Sequence, residues 1–429
     1  MNVNMFKGRA LAVLVFILAA PSALAQGGLP LAMAETLALE NNPGFAARVA
    51  AAKALEQVPS QEASLPDPMA TFGLMNLPAD SLSMNSENMT QTQLGLSQKV
   101  PFPGKLSLNG KAAGLMAEAA GMETEQARLF LLRHVRMAWW RLFFLDHATE
   151  VVLGNQAVMR QLVRVAEKKY KLGHGLQQDA LLAQLELSKL LEKEIELAAK
   201  RESAAARLNL LLGGKAEDRI KLPVNASKSL PKLRPLTILL DMALESNPSL
   251  KAARAKSLAA GVMHESAKME RYPDFNFSAT YGLRGANPAT GKDRSDLASL
   301  MVGINIPIYS STKQSRKVAQ KSLESQAAML AYQEAENGVL AEVRALTAEY
   351  GKAREMAELY ETGVIPQAGQ TVESMLAGYQ VNKVDFLNLA RAQITLYNYQ
   401  TQYWNTIAEA NMTLASLKAA TGSEDIHDE

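Results

Sequence analysis

With 429 residues, 48 % of them hydrophobic, and a formal charge of +2, the chain is long enough for two or three domains and too evenly charged for a nucleic-acid footprint. It has no cysteine, which excludes disulfides, thiolate metal sites and a lipid anchor on a cysteine at the cleavage point.

Residues 1–25 read as an export signal. Lys7 and Arg9 precede an apolar core from Ala10 to Ala20, and Ala23-Leu24-Ala25 offers a small-x-small cleavage site before Gln26. Without this segment the acidic and basic side chains balance at 43 each. No later stretch approaches the roughly 20 apolar residues of a spanning helix.

From Gln26 onward one unit is written twice. Ala38-Leu39-Glu40-Asn41-Asn42-Pro43 returns as Ala243-Leu244-Glu245-Ser246-Asn247-Pro248, and Pro101-Phe102-Pro103 is echoed by Pro307-Ile308-Tyr309. A spacing of 205 to 209 residues between the copies is too long for a solenoid repeat and points to duplication of a whole half. The halves are expected at 26–222 and 236–422, with a linker at 223–235 and an acidic, frayed tail at 423–429.

Each half opens with a short helix that Asn-Pro interrupts, followed by a helix to the next proline, about 43–64 and 248–271. Strand periodicity follows, at about 69–100 and 274–308. The clearest case is Phe275-Asn276-Phe277-Ser278-Ala279-Thr280-Tyr281, apolar at odd positions and polar at even ones. Its neighbour alternates Ala298, Leu300, Val302, Ile304 and Ile306 with Ser299, Met301, Gly303 and Asn305. Strands of this length suit a transmembrane β-barrel with a wet interior, or a soluble sheet with one buried face; export favours the barrel. Four strands cannot close one, because the smallest barrels have about eight, so several chains must combine.

Long helical hairpins are expected at about 104–212 and 313–420. Their outgoing arms reach about 99 Å at 1.5 Å per residue, and Pro366 should kink the second. The fold class is therefore mainly α with a small β part. At each hairpin tip a motif recurs: Tyr170-Lys-Leu-Gly173 and Tyr379-Gln-Val-Asn382, each followed at a fixed distance by Ala-Gln.

This ordering resembles the TolC-like outer-membrane efflux proteins. The resemblance spans the whole chain after the signal and rests on the two Asn-Pro helix starts, Gln98-Lys99-Val100-Pro101-Phe102-Pro103-Gly104-Lys105, the Tyr170-x-x-Gly173 tip and Arg207-Leu208-Asn209-Leu210-Leu211. The Pro-Phe-Pro-Gly-Lys run is similar to the heavy-metal branch. The resemblance implies a homotrimer supplying a twelve-stranded barrel in outer-membrane lipid and a helical tunnel across the periplasm. It further implies docking of the tips, through Tyr170, Gly173 and Asn382, onto a periplasmic adaptor and an inner-membrane RND-type pump. The implied gate is a latch between neighbouring hairpins of Asp179 and Tyr379, with Lys383 and Asp385 beside it. The family's frequent arginine falls at Val384 here, and two acidic ring positions read Asn388 and Arg391.

No catalytic constellation emerges and no cofactor is expected. The five histidines are scattered, and Gly173-His174-Gly175 is explained by a turn. Met75, Met84 and Met89 cluster near the first strand pair and are candidate soft-metal contacts, since thioethers bind ions such as Cu(I). The functional expectation is a passive outer-membrane conduit for metal ions. The alternatives are a multidrug or type I secretion conduit, and, from another class, a periplasmic coiled-coil scaffold.

Overall fold

A computed structural model describes residues 28–223, 228–287 and 289–428; the export signal expected at 1–25, residues 224–227 near the start of the linker, and Glu429 lie outside the described residues. In chain order the elements are α1 (Leu31–Asn41), α2 (Pro43–Leu55), α3 (Val58–Ala63), β1 (Met69–Met75), β2 (Gln91–Val100), α4 (Lys105–Lys171) and α5 (Gln177–Leu211). The second half has α6 (Leu236–Ser246), α7 (Pro248–Met269), β3 (Phe275–Leu283), β4 (Leu297–Ile304) and α8 (Gln314–Leu359). A π-helical turn (Tyr360–Val364), α9 (Ile365–Gln380) and α10 (Phe386–Thr421) complete it.

The 67 residues of α4 span about 100 Å. No proline interrupts it, and its buried positions, among them Leu132, Val135, Trp139, Leu142 and Leu145, advance by threes and fours. In the second outgoing arm Pro366 has no N–H to offer the carbonyl of Thr362. The helix widens instead of breaking: the Ile365 N–H bonds to the Tyr360 carbonyl, five residues back. The helix expected at 43–64 is split in two, because Pro59 withholds a bond from the preceding turn. Its counterpart α7 contains no such interior proline and stays whole.

Both Asn-Pro starts do two jobs. The Asn42 side chain accepts from the Phe45 N–H at 2.9 Å and donates to the carbonyl of Leu211, the last residue of α5, at 3.0 Å. Asn247 accepts from Ser249 and Leu250 and donates to Ala420, near the end of α10, at 2.7 Å. Each asparagine thus caps one helix and satisfies an open carbonyl of another, so the short helices stack on the ends of the returning ones. Gly422 (φ 71°) closes α10, and a Cβ there would lie 2.7 Å from the Ser246 carbonyl oxygen.

The strands form one antiparallel sheet in the order β1-β2-β3-β4. Register places Phe72, Leu94 and Tyr281 opposite one another in turn, and Phe277 opposite Val302. One face therefore carries Phe72, Leu94, Leu96, Phe277, Tyr281, Leu300, Val302 and Ile304, all exposed. The other carries Thr71, Gln93, Ser97, Asn276, Ser278, Thr280 and Ser299, with Met69, Met75 and Met301 among them. Where sheet meets helix, Asp274 accepts from the Phe102 N–H at 3.1 Å and the Lys105 ammonium at 2.6 Å, while Phe102 stacks on Tyr272 at 4.6 Å. The Pro-Phe-Pro-Gly-Lys run of the first half is thereby pinned to the second.

As far as Asp428 the tail is docked, not frayed. Ile426 is fully buried, Leu233 and His427 form a β-bridge, and Glu424 bonds both Arg136 and Lys418. Glu424 and Asp425 find basic partners on α4, α10 and the linker, and one isoleucine anchors the strap; charge alone gives no sign of this.

Candidate functional site

The two tips close with the same backbone device. In the first, the His174 N–H bonds to the Lys169 carbonyl at 2.9 Å and the Gly173 N–H to that of Tyr170 at 3.0 Å. In the second, Lys383 bonds back to Gly378 at 2.9 Å and Asn382 to Tyr379 at 3.2 Å. Each is a helix C-terminus sealed by a left-handed residue, Gly173 (φ 73°) and Asn382 (φ 61°). This is the physical content of the Tyr-x-x-Gly/Asn motif: glycine and asparagine are the residues that tolerate that conformation.

Both turns lie at one end of the molecule. Met159, Leu162 and Ala166 of α4, Ala180 and Ala183 of α5, Tyr379 of α9, and Phe386, Leu389 and Ala390 of α10 form a single buried cluster. Tyr379 is buried and packs edge-on against Phe386, with ring centroids 5.5 Å apart. Its hydroxyl donates to Asp179 at 3.5 Å, at the outer limit of a hydrogen bond. Burial, reinforced by the Asp179 charge and that bond, pushes the phenol up to about 12. Both residues belong to one chain, so the contact joins the chain's own two hairpins.

The remaining residues named from the sequence sit apart from this contact. Asp385 caps α10, accepting from the Asn388 N–H at 2.8 Å and its side-chain amide at 3.0 Å. The side chain of Lys383 is exposed, as is Tyr170. Met75 ends β1 opposite Gln91, Met89 accepts from Asn76 through its carbonyl, and Met84 lies in the loop between; all three are exposed. Among the described residues no group of three or more His, Asp or Glu side chains is arranged to hold a metal ion.

Sequence reasoning missed Lys169. Its ammonium lies 4.1 Å from the centroid of the Tyr379 ring and donates to the Tyr379 carbonyl. The signal was a last turn of α4 holding Lys168, Lys169 and Lys171, of which only Lys169 is partly buried.

Strands polar on one face and apolar on the other at one end, closed helix turns at the other and about 100 Å between them suit a conduit. The sequence matches the outer membrane efflux protein family over residues 36–214 and again over 239–423. The chain belongs to that family. As an outer membrane efflux protein it is 24 % identical over 360 residues to Outer membrane protein TolC of Escherichia coli, covering 80 % of this chain and 71 % of that one. It is 21 % identical over 331 residues to the cobalt-zinc-cadmium resistance protein CzcC of Cupriavidus metallidurans, covering 75 % of each. Among solved structures, VceC of Vibrio cholerae superimposes with a TM-score of 0.78 at 20 % identity, over 92 % of this chain and 96 % of that one. CusC does so with a TM-score of 0.77 at 16 % identity, over 92 % of each. The chain is an outer-membrane efflux channel, mainly helical with four antiparallel strands.

Proposed function

We propose that three copies of this chain form the outer-membrane conduit of a tripartite efflux system exporting heavy-metal ions. The observation that carries the reading is the four-stranded sheet, apolar on one face and polar on the other, with both hairpin tips closed at the opposite end. Three sheets make a twelve-stranded barrel in outer-membrane lipid, and six hairpins continue it as a periplasmic tunnel. Duplication of an ancestral half accounts for the paired spans 26–222 and 236–422. The precursor is exported through a cleavable signal.

Within this reading the tips, at Tyr170, Gly173 and Asn382, dock onto a periplasmic adaptor that connects to an inner-membrane RND-type pump. The gate comprises Asp179, Tyr379, Lys383 and Asp385. The channel is passive, and the pump supplies the driving force. Similarity to a cobalt-zinc-cadmium resistance protein supports metal ions as cargo, and the thioethers of Met75, Met84 and Met89 at the outer end of the sheet are compatible soft-metal contacts. Deleting the gene is expected to sensitise cells to a transition-metal ion more than to detergents or dyes. Hypersensitivity to hydrophobic drugs alone would move the protein to a multidrug role.

A further inference from the structure

We infer that Lys169 is the clamp that holds the chain's two hairpin tips together, and that release of this lysine, more than of the Tyr379 hydroxyl, is what opening requires. The inference rests on the channel reading for its consequence and on geometry for its mechanism. Lys169 and Gly378 hold the same place in the two turns, each giving the carbonyl that accepts the closing bond from five residues on. Only the first has a side chain, so reach between the tips runs one way.

The small residues are distributed to allow this. In the first turn Gly175 lies against Lys169, where a Cβ would come within 2.9 Å of the lysine Cβ. In the second the sizes are exchanged: Val384 fills the space over Gly378, with its methyl 2.6 Å from where a Cβ would stand. Glycine at 175 leaves room for the lysine stem; glycine at 378 leaves the second tip with nothing to send back.

What Lys169 reaches is the C-terminus of α9. The Tyr379 carbonyl also closes that turn through Asn382, at the end of a helix where the backbone dipole is negative. The ammonium therefore meets a helix-terminal carbonyl and an aromatic face together. The alternative tie, Tyr379 to Asp179, stands at 3.5 Å and contributes less. Lys168 and Lys171 point to solvent and do not substitute.

The absence of cysteine allows a direct test. Cysteines replacing Leu172 and Val381, exposed residues at matching places in the two turns, carry spin labels, and the label-to-label distance is measured in detergent. Lys169→Met, which keeps the stem and removes the charge, is expected to lengthen and broaden the distance and to raise single-channel conductance. Loss of one charge-assisted contact shifts the closed-to-open ratio by about ten-fold or more. Lys169→Arg is expected to restore both readouts. A distance unchanged in Lys169→Met overturns the clamp. A lengthened distance with unchanged conductance leaves the clamp standing and overturns the gate reading.

Discussion

Tyr170 and Tyr379 hold the same place in the two tip motifs, yet the first is 47 % exposed and the second 3 %. The difference lies seven residues on, where the second copy has Phe386, fully buried beneath Tyr379, and the first has Gln177 at the start of α5. A tyrosine with an aromatic partner goes inside, and one beside a glutamine stays out. Tyr379→Ala is therefore expected to destabilise the tips by about 3–5 kcal/mol, the range for deleting a buried ring, as a loss of thermal stability. Tyr379→Phe keeps the packing and gives up only the long hydroxyl bond. Combined with Asp179→Ala it should raise single-channel conductance modestly while assembly stays normal; unchanged conductance would remove that pair from the gate. Because the phenol titrates near 12, this contact stays intact from neutral pH to about pH 10. The Asp179 and Tyr379 positions were legible through the family resemblance. Lys169 was not, because its role depends on a side chain that Gly378 lacks, 209 residues away.

At the scale of elements, regular segments were legible and joints were not. Periodicity located the long helices, the Asn-Pro pairs located the short helices ahead of the strands, and the period-two pattern located β3 and β4. The π turn before Pro366 and the split at Pro59 depend on how neighbouring turns absorb a missing N–H, which packing decides. The docked tail is the largest such surprise, and it carries a histidine. His427 is held below the usual 6.5 by burial and by Lys418, with Arg234 acting alike and Asp425 and Glu424 opposing. A depressed histidine favours folding above its unfolded value, and that contribution fades as pH falls below 6.5 through the folded value. Glu424 is also lowered: burial works against ionisation, but bonds from Arg136 and Lys418 outweigh it, so the carboxylate loses its contribution only at lower pH still. The strap's backbone bonds, Arg234 N–H to Ile426 and Asp428 N–H to Lys232, both 3.1 Å, report on it directly. Amide exchange at Arg234 and Asp428, corrected for intrinsic rates, should accelerate between about pH 7.5 and pH 5.5. His427→Gln should abolish most of that change; equal protection at both values in the unaltered chain would rule out the histidine as its source.

The whole molecule presents a sheet whose two edges, β1 and β4, have no strand beyond them among the described residues. Its apolar face is open, with Leu300 at 88 % and Phe72 at 73 % exposure. A soluble protein would bury such a face and blunt such edges, and this chain does neither. In the proposed trimer, lipid covers the face and a second copy of the same sheet covers each edge. Four strands fall short of the roughly eight that the smallest barrels need, whereas three copies supply enough. In that arrangement the polar face, rich in serine, threonine and glutamine, would line a wet interior. Two measurements separate this arrangement from a soluble scaffold. Cysteines at Thr71 on β1 and Ser299 on β4, placed in a chain with no other cysteine, should join different chains through a short thiol crosslinker and yield a covalent trimer. Arg at Val302, on the lipid face, should cost about 2–4 kcal/mol if it lies near the bilayer midplane, whereas Arg at Ser278, on the lumen side, should be tolerated. The asymmetry is the test, because a sheet bathed in water on both faces would accept either arginine. Crosslinks confined within one chain, or equal tolerance of the two arginines, would mean that the strands do not close a membrane barrel between copies.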